Sequence, residues 1–560
     1  MSKNRPFLLV LVLVGVCALL GGLYGPHIDS TEAASSALQQ AAMAPVAASA
    51  GVTAAEASPD DADAAIQGDL REFAGVYRLV EDNYAAPVDP STAIYDGAIP
   101  GMLRQLDPHS NFWDPKAFAR IMENQQGRYS GVGMLISAVD ARDNQARVVQ
   151  PFEGTPAFKA GLRPFDLIMA VDGKSTVGLS TDQVATMLKG PQGTTVVVSV
   201  HRVGHPQLLN FSLVRADVQH DSIDSHYQIS PGVVYAHLTG FTETSTEELA
   251  DILKPLEAAG DMKGLVLDLR GNPGGLLNQA QGIADLLLAK DQVIVSDHGR
   301  ASPEHVLTAM HGNGGHNFPL VILVDNMTAS AAEIVSGSVQ DHDRGLIVGQ
   351  TTFGKGLVQT VMPLDDNTGL ALTTAHYYTP SGRLIQRPYE GVSLYDYFFV
   401  HNENQTPVSK REVKMTDTGR TVYGGGGITP DVNLPADRLN DFQQMMVDRT
   451  AFFEFADEFL STHDSVPQTW TPDDATVQQF VSFLASQHVP LKPADVAANS
   501  DWLKQQIRFR VISSLYGLDA GWKTLMQVDP EVAKAVTLLP QAATLETHAR
   551  QVLLARQEAH

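Results

Sequence analysis

Leu320-Val-Ile-Leu-Val-Asp-Asn-Met-Thr-Ala-Ser330-Ala-Ala-Glu333 is the stretch that decides the fold. Its first five residues are all apolar, which is typical of a parallel strand buried on both faces. The residues that follow lead into a predicted helix over Ala329–Gln340. Because a buried strand that feeds directly into a helix is the repeating unit of an α/β sheet, the stretch predicts such a sheet. It also places Ser330 at the carboxyl end of a strand, where open sheets keep their sites.

The same order of apolar strand and amphipathic helix extends in both directions from this stretch. The alternation predicts right-handed crossovers on a largely buried sheet, in an α/β core over residues 216–436. The predicted strands are Val233–His237, Gly264–Leu269, Val293–Ser296 and Leu346–Val348, and the predicted helices are Ser245–Ala259 and Leu276–Ala289.

Three other regions flank this core. Short β-branched runs separated by glycine, with two helical pieces between them, predict a compact β-rich module over residues 127–215. Apolar residues at helical spacing predict one helical region over 68–126 and another over 437–560. The fold class is therefore multidomain α+β, with a β-rich module inserted between an N-terminal helical region and the α/β core.

Composition limits the partners and the metal chemistry. The chain has 560 residues, enough for about three or four domains. Its 39 Lys and Arg against 63 Asp and Glu give a net charge of −24, which repels phosphate backbones and argues against nucleic acid as a partner. A single Cys excludes intrachain disulfides and Cys-rich metal sites, and no His-Glu-x-x-His helix is present. No metal site and no cofactor are predicted.

The N-terminus sets the expected compartment. Lys3 and Arg5 precede an almost purely apolar run of 17 residues over 7–23, which is typical of a secretory signal and near the lower limit for a membrane span. Residues 1–29 are therefore predicted to be either a signal peptide or a membrane anchor. Residues 30–67, with almost no aromatic side chains, are predicted to form a flexible tether. We expect an exported protein that is periplasmic, or anchored to the membrane and facing the periplasm.

Three segments place glycine or polar residues just beyond an apolar strand: Asp268–Gly275, Asp325–Glu333 and Thr352–Gln359. The glycines of the first segment open backbone N–H groups to a ligand, either an oxyanion or a phosphate, although a tight strand-to-helix turn needs the same residues. In the second segment, Ser330 is either a nucleophile or a helix N-cap. The residue alone does not decide between these roles.

The third segment holds Lys355 between two glycines in a hydrophobic stretch. The spacing of a phosphate-binding P-loop is absent around it. Removal from water lowers the pKa of a lysine, so that it can act as a base. A neutral Lys355 amine could activate Ser330, with Gln359 orienting the amine without charging it.

The order of these segments resembles that of the carboxyl-terminal processing (tail-specific) proteases, a serine peptidase family with a Ser-Lys dyad and a PDZ domain. The resemblance rests first on Thr328–Glu333 and Thr352–Gln359, with 25 residues from Ser330 to Lys355. It covers roughly residues 73–432. Further blocks in family order are Leu106–Ser110, Asp268–Gly275, Tyr378–Gln386 and Gly427–Asp431, and PDZ-like blocks are Tyr129–Met134 and Glu153–Leu162.

The resemblance implies an α/β protease core built from crotonase-like or Clp-protease-like ββα units. In that core Ser330 would be the nucleophile, Lys355 the general base and Gln359 the residue that holds Lys355. The implied oxyanion hole consists of backbone N–H groups of Gly274, Gly275 and Ala331, and which glycine donates is left open.

In the PDZ-like module, the resemblance implies a loop that binds the terminal carboxylate of a substrate while the peptide adds as a strand. The loop residues are Gly131, Val132, Gly133 and Met134. Two departures bear on substrate preference. Phe165 stands where the PDZ pattern has Gly, and Leu357 stands where a small residue is common.

The implied activity is cleavage of proteins near their C-termini in the cell envelope, gated by binding to the PDZ-like module. The implied partners are proteins or peptides with free C-termini, and the helical regions are candidates for self-association or for docking an adaptor. Two alternatives stay open. His109 and His342 raise a Ser-His enzyme or a metal site, and loss of activity with a chelator would identify the latter. An inactive scaffold that carries a PDZ domain is the other.

Overall fold

The computed structural model describes residues 59–137, 145–202, 205–400, 407, 410–435, 439–463, 465–489 and 491–558. The predicted signal or anchor over residues 1–29 lies outside the described residues, as does most of the predicted tether. Among the helices of the described ranges, none combines the length and the apolar character needed to cross a bilayer. The chain forms two compact units, one ending at Val88 and the other starting at Asp89.

In the first unit, the described part is mainly a helix, α1 (Pro59–Asn83). It begins inside the range 30–67, so the structure differs there from the predicted tether. The tether was inferred because the segment has too few apolar residues to bury a core. Helix formation needs no such core here, because alanine, the best helix former, is frequent in this segment.

The second unit opens with one continuous helical stretch, a π-helix (Thr92–Ala98) followed directly by α2 (Ile99–Leu103), and continues with β1 (Asn111–Trp113) and α3 (Pro115–Gln126). The Asp114 carboxylate starts α3 by accepting the Ala117 N–H at 2.7 Å. Gly127 ends it in the left-handed conformation, with φ of 65°. The chain then enters the PDZ-like module without a linker.

The PDZ-like module packs two helices against short antiparallel strands. Its elements are β2 (Arg128–Gly131), β3 (Met134–Ile136), β4 (Val148–Pro151), α4 (Pro156–Ala160), β5 (Leu167–Val171), β6 (Lys174–Ser175), α5 (Thr181–Leu188), β7 (Thr195–His201), β8 (Leu209–Val214) and β9 (Ala216–Gln219). Strand β5 and helix α5 form where the sequence places an apolar run and a helical piece. Strand β8 gave no clear signal, because Leu213 is its only fully buried residue.

The rest of the second unit, up to residue 433, alternates strands and helices. Its elements are β10 (Ile223–Ser230), β11 (Val233–Leu238), α6 (Ser245–Ala259), β12 (Gly264–Asp268), α7 (Leu277–Leu287), β13 (Val293–His298), β14 (His305–Thr308), β15 (Leu320–Val324), α8 (Ala331–Asp341), β16 (Leu346–Gly349), β17 (Leu357–Pro363), a 3-10 turn (Asp365–Asn367), β18 (Gly369–Tyr378), α9 (Leu394–Phe399), β19 (Val413–Met415), β20 (Thr421–Tyr423) and β21 (Val432–Asn433).

Six strands form the sheet that positions the site, in the order β10-β11-β12-β15-β16-β21. All neighbours are parallel except β10, which runs antiparallel to β11. Every residue of β12, β15 and β16 is buried, which explains their continuous apolar sequences. The α/β core predicted from Leu320–Glu333 is thus present, with α8 following β15.

A second sheet is antiparallel, with the order β1-β18-β13-β14 and β17 also on β18. The predicted strand Val293–Ser296 belongs here, in β13, and not in the parallel sheet where the alternation placed it. Its partner β18 lies about 80 residues further along the chain. A local apolar pattern indicates that a strand forms but not which strand it joins, so this assignment was wrong.

The C-terminal region is helical, with α10 (Asp441–Asp448), α11 (Ala451–Thr462), α12 (Asp474–Ser486), α13 (Pro493–Ala498), α14 (Ser500–Tyr516), α15 (Leu518–Met526) and α16 (Pro530–Glu558). Helices α10 to α14 bury their own aromatic cluster, which includes Phe452, Phe455 and Phe480. Helix α16 instead packs on the parallel sheet, where Leu538 and Leu539 join the cluster formed by Val266 and its neighbours.

Helix α11 also contacts the PDZ-like module. The Phe165 ring lies 4.6 Å from the Phe453 ring, centroid to centroid. One turn further along α11, Asp457 forms an ion pair with Arg147 at 3.8 Å. Phe165 has a φ of 74°, the left-handed conformation that a glycine at this position adopts without strain. The departure from the PDZ pattern therefore forms a contact between domains.

Candidate active site

Ser330 lies at the junction between β15 and α8, as its position after a buried strand predicts. Its backbone is strained, with φ of 56° and ψ of −117°, a conformation that non-glycine residues rarely adopt. The Glu333 N–H donates to the Ser330 backbone carbonyl at 2.8 Å. Such strain persists only where surrounding contacts impose it, and it is common in functional turns.

Glu333 connects the Ser330 segment to the Lys355 segment. Its Oε2 accepts the backbone N–H of Ser330 and that of Lys355, both at 2.9 Å. Its Oε1 accepts the Gly354 N–H at 2.8 Å and the Thr352 hydroxyl at 2.5 Å. Burial raises the pKa of the Glu333 carboxyl to about 7, although all these donors oppose the rise. Sequence reasoning gave Glu333 no role, yet a glutamate three residues after a serine at a helix start was the available signal.

Lys355 lies between Gly354, whose φ is 86°, and the start of β17. A side chain at Gly354 would meet the Gly427 nitrogen at 2.9 Å, so glycine permits this close approach. Burial lowers the pKa of the Lys355 ammonium, against the opposing effect of the Glu333 and Asp107 charges. This direction is the one that a lysine base requires.

Tyr377 of β18 forms a second connection between the same two segments. It is 2% exposed, and its hydroxyl lies against two backbone carbonyls, that of Ser330 at 3.1 Å and that of Lys355. Glu333 thus accepts the N–H groups of Ser330 and Lys355, and the Tyr377 hydroxyl lies against the carbonyls of the same two residues. The sequence offers no signal for this tyrosine, because the pairing of β17 with β18 brings it there.

The predicted side-chain dyad is not joined by a hydrogen bond in this structure. Within the described residues, the hydrogen bonds of Ser330 and Lys355 are made by their backbones. Gln359 donates its amide to the Thr373 hydroxyl at 3.2 Å and not to Lys355. The structure therefore brings the Ser330 and Lys355 segments together through their backbones, and it leaves Gln359 bonded to a neighbouring strand.

The glycine turn of Asp268–Gly275 lies directly against Ser330. A side chain at Gly274 would meet the Ser330 Cβ at 2.8 Å and the Ala331 nitrogen at 2.9 Å. The Gly274 N–H is already donated to the Asn272 carboxamide oxygen at 2.8 Å. In the described part of the chain, the N–H groups of Gly275 and Ala331 have no partner. Of the three predicted oxyanion-hole residues, two therefore offer a free donor.

The two histidines raised as alternatives have structural partners. His342 contacts the Asp417 carboxylate through Nδ1 and the Val293 carbonyl through Nε2, both at 2.7 Å. His109 contacts the Tyr397 hydroxyl at 2.9 Å, and burial, reinforced by the Lys355 charge, lowers its pKa to about 3. In the described ranges, no cluster of three or more His, Cys, Asp or Glu side chains is arranged to hold a metal ion.

The insert between Gln386 and Gly427 forms one wall of the site. In α9, Tyr397 is buried and packs with Phe353 and Ala329, the neighbours of the Lys355 and Ser330 segments. The Arg387 guanidinium lies 3.7 Å from the Phe353 ring centroid. On the other side of α9, Tyr395 and Phe399 are exposed. Tyr397 of this segment therefore packs on the core, whereas Tyr395 and Phe399 stay exposed.

Comparison with known proteins agrees with this architecture. Residues 232–393 match the model of peptidase family S41, and residues 147–202 match that of a PDZ domain. The chain is 36% identical over 321 residues to the carboxy-terminal-processing protease of Bartonella bacilliformis, covering 57% of this chain and 72% of that protein. It is 37% identical over 294 residues to the carboxyl-terminal-processing protease of Synechocystis, covering 52% and 68%.

Among solved structures, the photosystem II D1 C-terminal processing protease matches 65% of this chain and 88% of its own, at 29% identity and a TM-score of 0.34. The sequence relatives show the family. The chain belongs to the carboxy-terminal processing proteases, serine-type peptidases of family S41 that carry a PDZ domain.

Proposed function

We propose that this protein is an endopeptidase that cleaves proteins near their C-termini through a Ser330–Lys355 mechanism. The observation that carries the proposal is the carboxylate of Glu333, one oxygen of which accepts the N–H groups of both residues. A serine that only capped α8 would need no connection to a lysine segment. A nucleophile and its base must keep a fixed relative position, and a shared acceptor provides it.

The first half of the reaction forms an acyl-enzyme. The Ser330 hydroxyl oxygen attacks the carbon of the scissile peptide bond while the neutral Lys355 amine takes the hydroxyl proton. The N–H groups of Gly275 and Ala331 stabilise the oxyanion, and Gly274 serves as the residue small enough to lie against Ser330. The carbon–nitrogen bond then breaks, and the Lys355 ammonium gives its proton to the departing amine.

The second half releases the product. A water molecule attacks the ester carbon as Lys355 takes one of its protons, and the oxyanion forms again in the same place. The bond to Ser330 breaks, its oxygen regains the proton from Lys355, and the product leaves as a carboxylic acid that ionises by giving the second water proton to solvent. We assign Gln359 to holding the Lys355 amine in the substrate-bound state, whereas in this structure its amide nitrogen donates to Thr373.

A comparison of active and inactive proteins tests this function. The form that lacks residues 1–58 and its Ser330→Ala variant are incubated with an unfolded protein ending in an apolar free C-terminus, and fragments are measured by intact mass. We expect fragments only where Ser330 is present. A matched substrate with a charged C-terminus should be cut more slowly. Equal cleavage by both proteins would contradict the assignment of the nucleophile.

The pH dependence tests the base. Because the amine must be neutral, kcat/KM should rise with pH through the lowered pKa of Lys355 and fall as the amine is protonated below it. Lys355→Ala should lower kcat by about 100-fold or more, as is usual for loss of a general base. Lys254→Ala, which removes an exposed lysine of α6, is the matched control and should leave kcat unchanged. A Lys355→Ala variant with native turnover would exclude the mechanism.

We further propose that the protein works in the cell envelope, exported through residues 1–29 as a signal peptide or membrane anchor. The support is the basic and apolar pattern of that segment. Fractionation of cells that express the full chain tests this. Protein in the periplasmic or membrane fraction is expected, and a purely cytosolic distribution would refute it.

A further inference from the structure

The predicted carboxylate-binding loop of the PDZ domain is closed in this structure. Its four residues, 131–134, are all buried, with Val132 at 3% and Met134 at 8% exposure. The groove beside the loop lies between β3 and α5. The Thr181 hydroxyl donates to the Ser137 carbonyl at one end of this groove, and the Gly190 N–H donates to the Ser130 carbonyl at the other. A peptide C-terminus can reach the loop only if a group of this chain moves away.

That group is Tyr129, the second residue of β2. Its ring lies over the Gly131 backbone, so closely that a side chain at Gly131 would meet the Tyr129 Cε2 at 2.8 Å. The Met134 backbone N–H faces the Tyr129 phenol oxygen. Burial raises the pKa of this phenol to about 12, which keeps it protonated. The Tyr129 side chain therefore covers the first residue of the loop and lies beside one of the donors expected to bind a substrate carboxylate.

Two ion pairs hold this arrangement in place. The Lys189 ammonium lies 4.9 Å from the centroid of the Tyr129 ring and pairs with Glu123 of α3. On the same helix, Arg120 pairs with Asp182 in the first turn of α5 at 3.0 Å. Helix α3 is thus joined to both ends of α5, the helix that lines the groove.

We propose that Tyr129 is an internal plug of the C-terminus-binding loop, displaced by the terminal carboxylate of an incoming peptide. The proposal rests on the proposed function and defines what the PDZ domain admits. A carboxylate accepts two or more N–H groups with full charge, which a neutral phenol oxygen cannot match. Lys189, already beside the ring, supplies a cation near the same position. A peptide with an amidated C-terminus lacks this negative charge and should not displace Tyr129.

The plug reduces the apparent affinity by the fraction of molecules in which the loop is open. Opening it permanently should therefore tighten binding of a free C-terminus. For loss of the whole side chain we expect about tenfold, and for loss of the hydroxyl alone about threefold, because ring packing remains.

Binding is measured with the full chain carrying Ser330→Ala and a fluorescent peptide ending in an apolar residue, as free acid and as amide. Tyr129→Ala should tighten binding of the acid about tenfold and Tyr129→Phe about threefold, with the amide weak throughout. Phe158→Ala removes an exposed aromatic side chain of α4 and is the matched control, expected to change neither affinity. Unchanged or weaker binding of the acid to Tyr129→Ala would show that Tyr129 is a wall of the site and not a plug.

A second variant and the choice of binding as the readout make the outcome clear. If circular dichroism shows that Tyr129→Ala is unfolded, Tyr129→Phe decides, since unchanged affinity of the acid for that folded variant overturns the proposal. Because every arm measures binding and not cleavage, the result does not depend on the Ser330–Lys355 mechanism. That mechanism is tested separately, by measuring cleavage with the protein that keeps Ser330.

Discussion

Glu333 and Tyr377 are buried polar residues whose hydrogen-bonding groups all serve the two segments of the site. Glu333 accepts the N–H groups of Ser330 and Lys355, and Tyr377 lies against their carbonyls. A buried polar group is costly unless its partners are fixed. At this scale, the residues that bear the proposed chemistry are held by their backbones and leave their side chains free to react.

Removing the Tyr377 hydroxyl tests this view. Tyr377→Phe should lower kcat by roughly tenfold with little change in KM, because a loosened base and nucleophile lose about 1.4 kcal/mol of transition-state stabilisation. Steady-state kinetics on an unfolded substrate measure both constants. Tyr516→Phe, which removes a phenol–carbonyl hydrogen bond in the C-terminal region, is the control. An equal effect of the two variants on kcat would contradict a role specific to the site.

The lowered pKa that lets Lys355 act as a base should also lower the stability of the folded protein. Its folded pKa is below the unfolded value of 10.5, so the fold disfavours the ammonium at every pH below that value. This loss of stability fades as the pH rises from the lowered pKa toward 10.5, where the unfolded lysine also becomes neutral. Lys355→Met should therefore raise the melting temperature at pH 7 while abolishing turnover, and the gain should shrink at pH 10. Thermal unfolding at the two pH values checks both statements.

At the scale of elements, the contact between Phe165 and α11 places a strained residue in an interface. The left-handed backbone of a bulky residue is unfavourable by about 1–2 kcal/mol, and an aromatic pair returns about 0.5–1.5 kcal/mol beyond its buried area. Glycine at this position would release the strain and lose the ring. The aromatic contact and the Arg147–Asp457 pair together hold the PDZ domain on the C-terminal region.

Two substitutions separate strain from packing at Phe165. Both Phe165→Ala and Phe165→Gly lose the ring, but only glycine adopts a φ of 74° without strain. We expect Phe165→Gly to be more stable than Phe165→Ala by about 1 kcal/mol, the reverse of the usual order of these residues. Urea unfolding gives the difference. A more stable alanine variant would mean that the backbone relaxes when the ring is absent.

The elements also show what the sequence could and could not predict. Strands β12, β15 and β16 and helices α5, α6 and α8 follow from continuous apolar runs or helical spacing, because burial on both faces or on one stripe leaves a local pattern. The sheet to which β13 belongs could not be predicted from such a local pattern, since its pairing depends on a distant strand. For the site, Ser330 and Lys355 stood out by local context. Glu333 had a weak local signal and Tyr377 none, because β17–β18 pairing places the tyrosine there.

At the scale of the whole molecule, helix α16 completes the parallel sheet. Leu539 lies 3.0 Å from the position that a side chain at Gly264, the first residue of β12, would occupy. Val532, Ala535, Leu538 and Ala542 are buried with it on the same face of the sheet. The sheet that contains β15, the strand leading to Ser330, is thus covered on one face by α16, a role that its helical spacing alone did not reveal.

Changes in α16 should therefore affect the core and not only the C-terminal region. Leu539→Ala should lower the free energy of unfolding by about 2–5 kcal/mol, the usual range for a large-to-small change in a core. Deleting residues 529–558 should leave little soluble protein, whereas removing residues 557–560 should be harmless. Soluble yield and circular dichroism distinguish the cases. A folded, active protein without α16 would show that the sheet does not need its cover.

The position of α16 after the strands that it covers has a consequence for synthesis. A growing polypeptide emerges with its amino end first, so β15, the strand that leads to Ser330, is made about 200 residues before the helix that covers its sheet. During that interval one face of the sheet has no apolar cover. Strand β15 and its neighbours therefore reach their final packing only after α16 has been made.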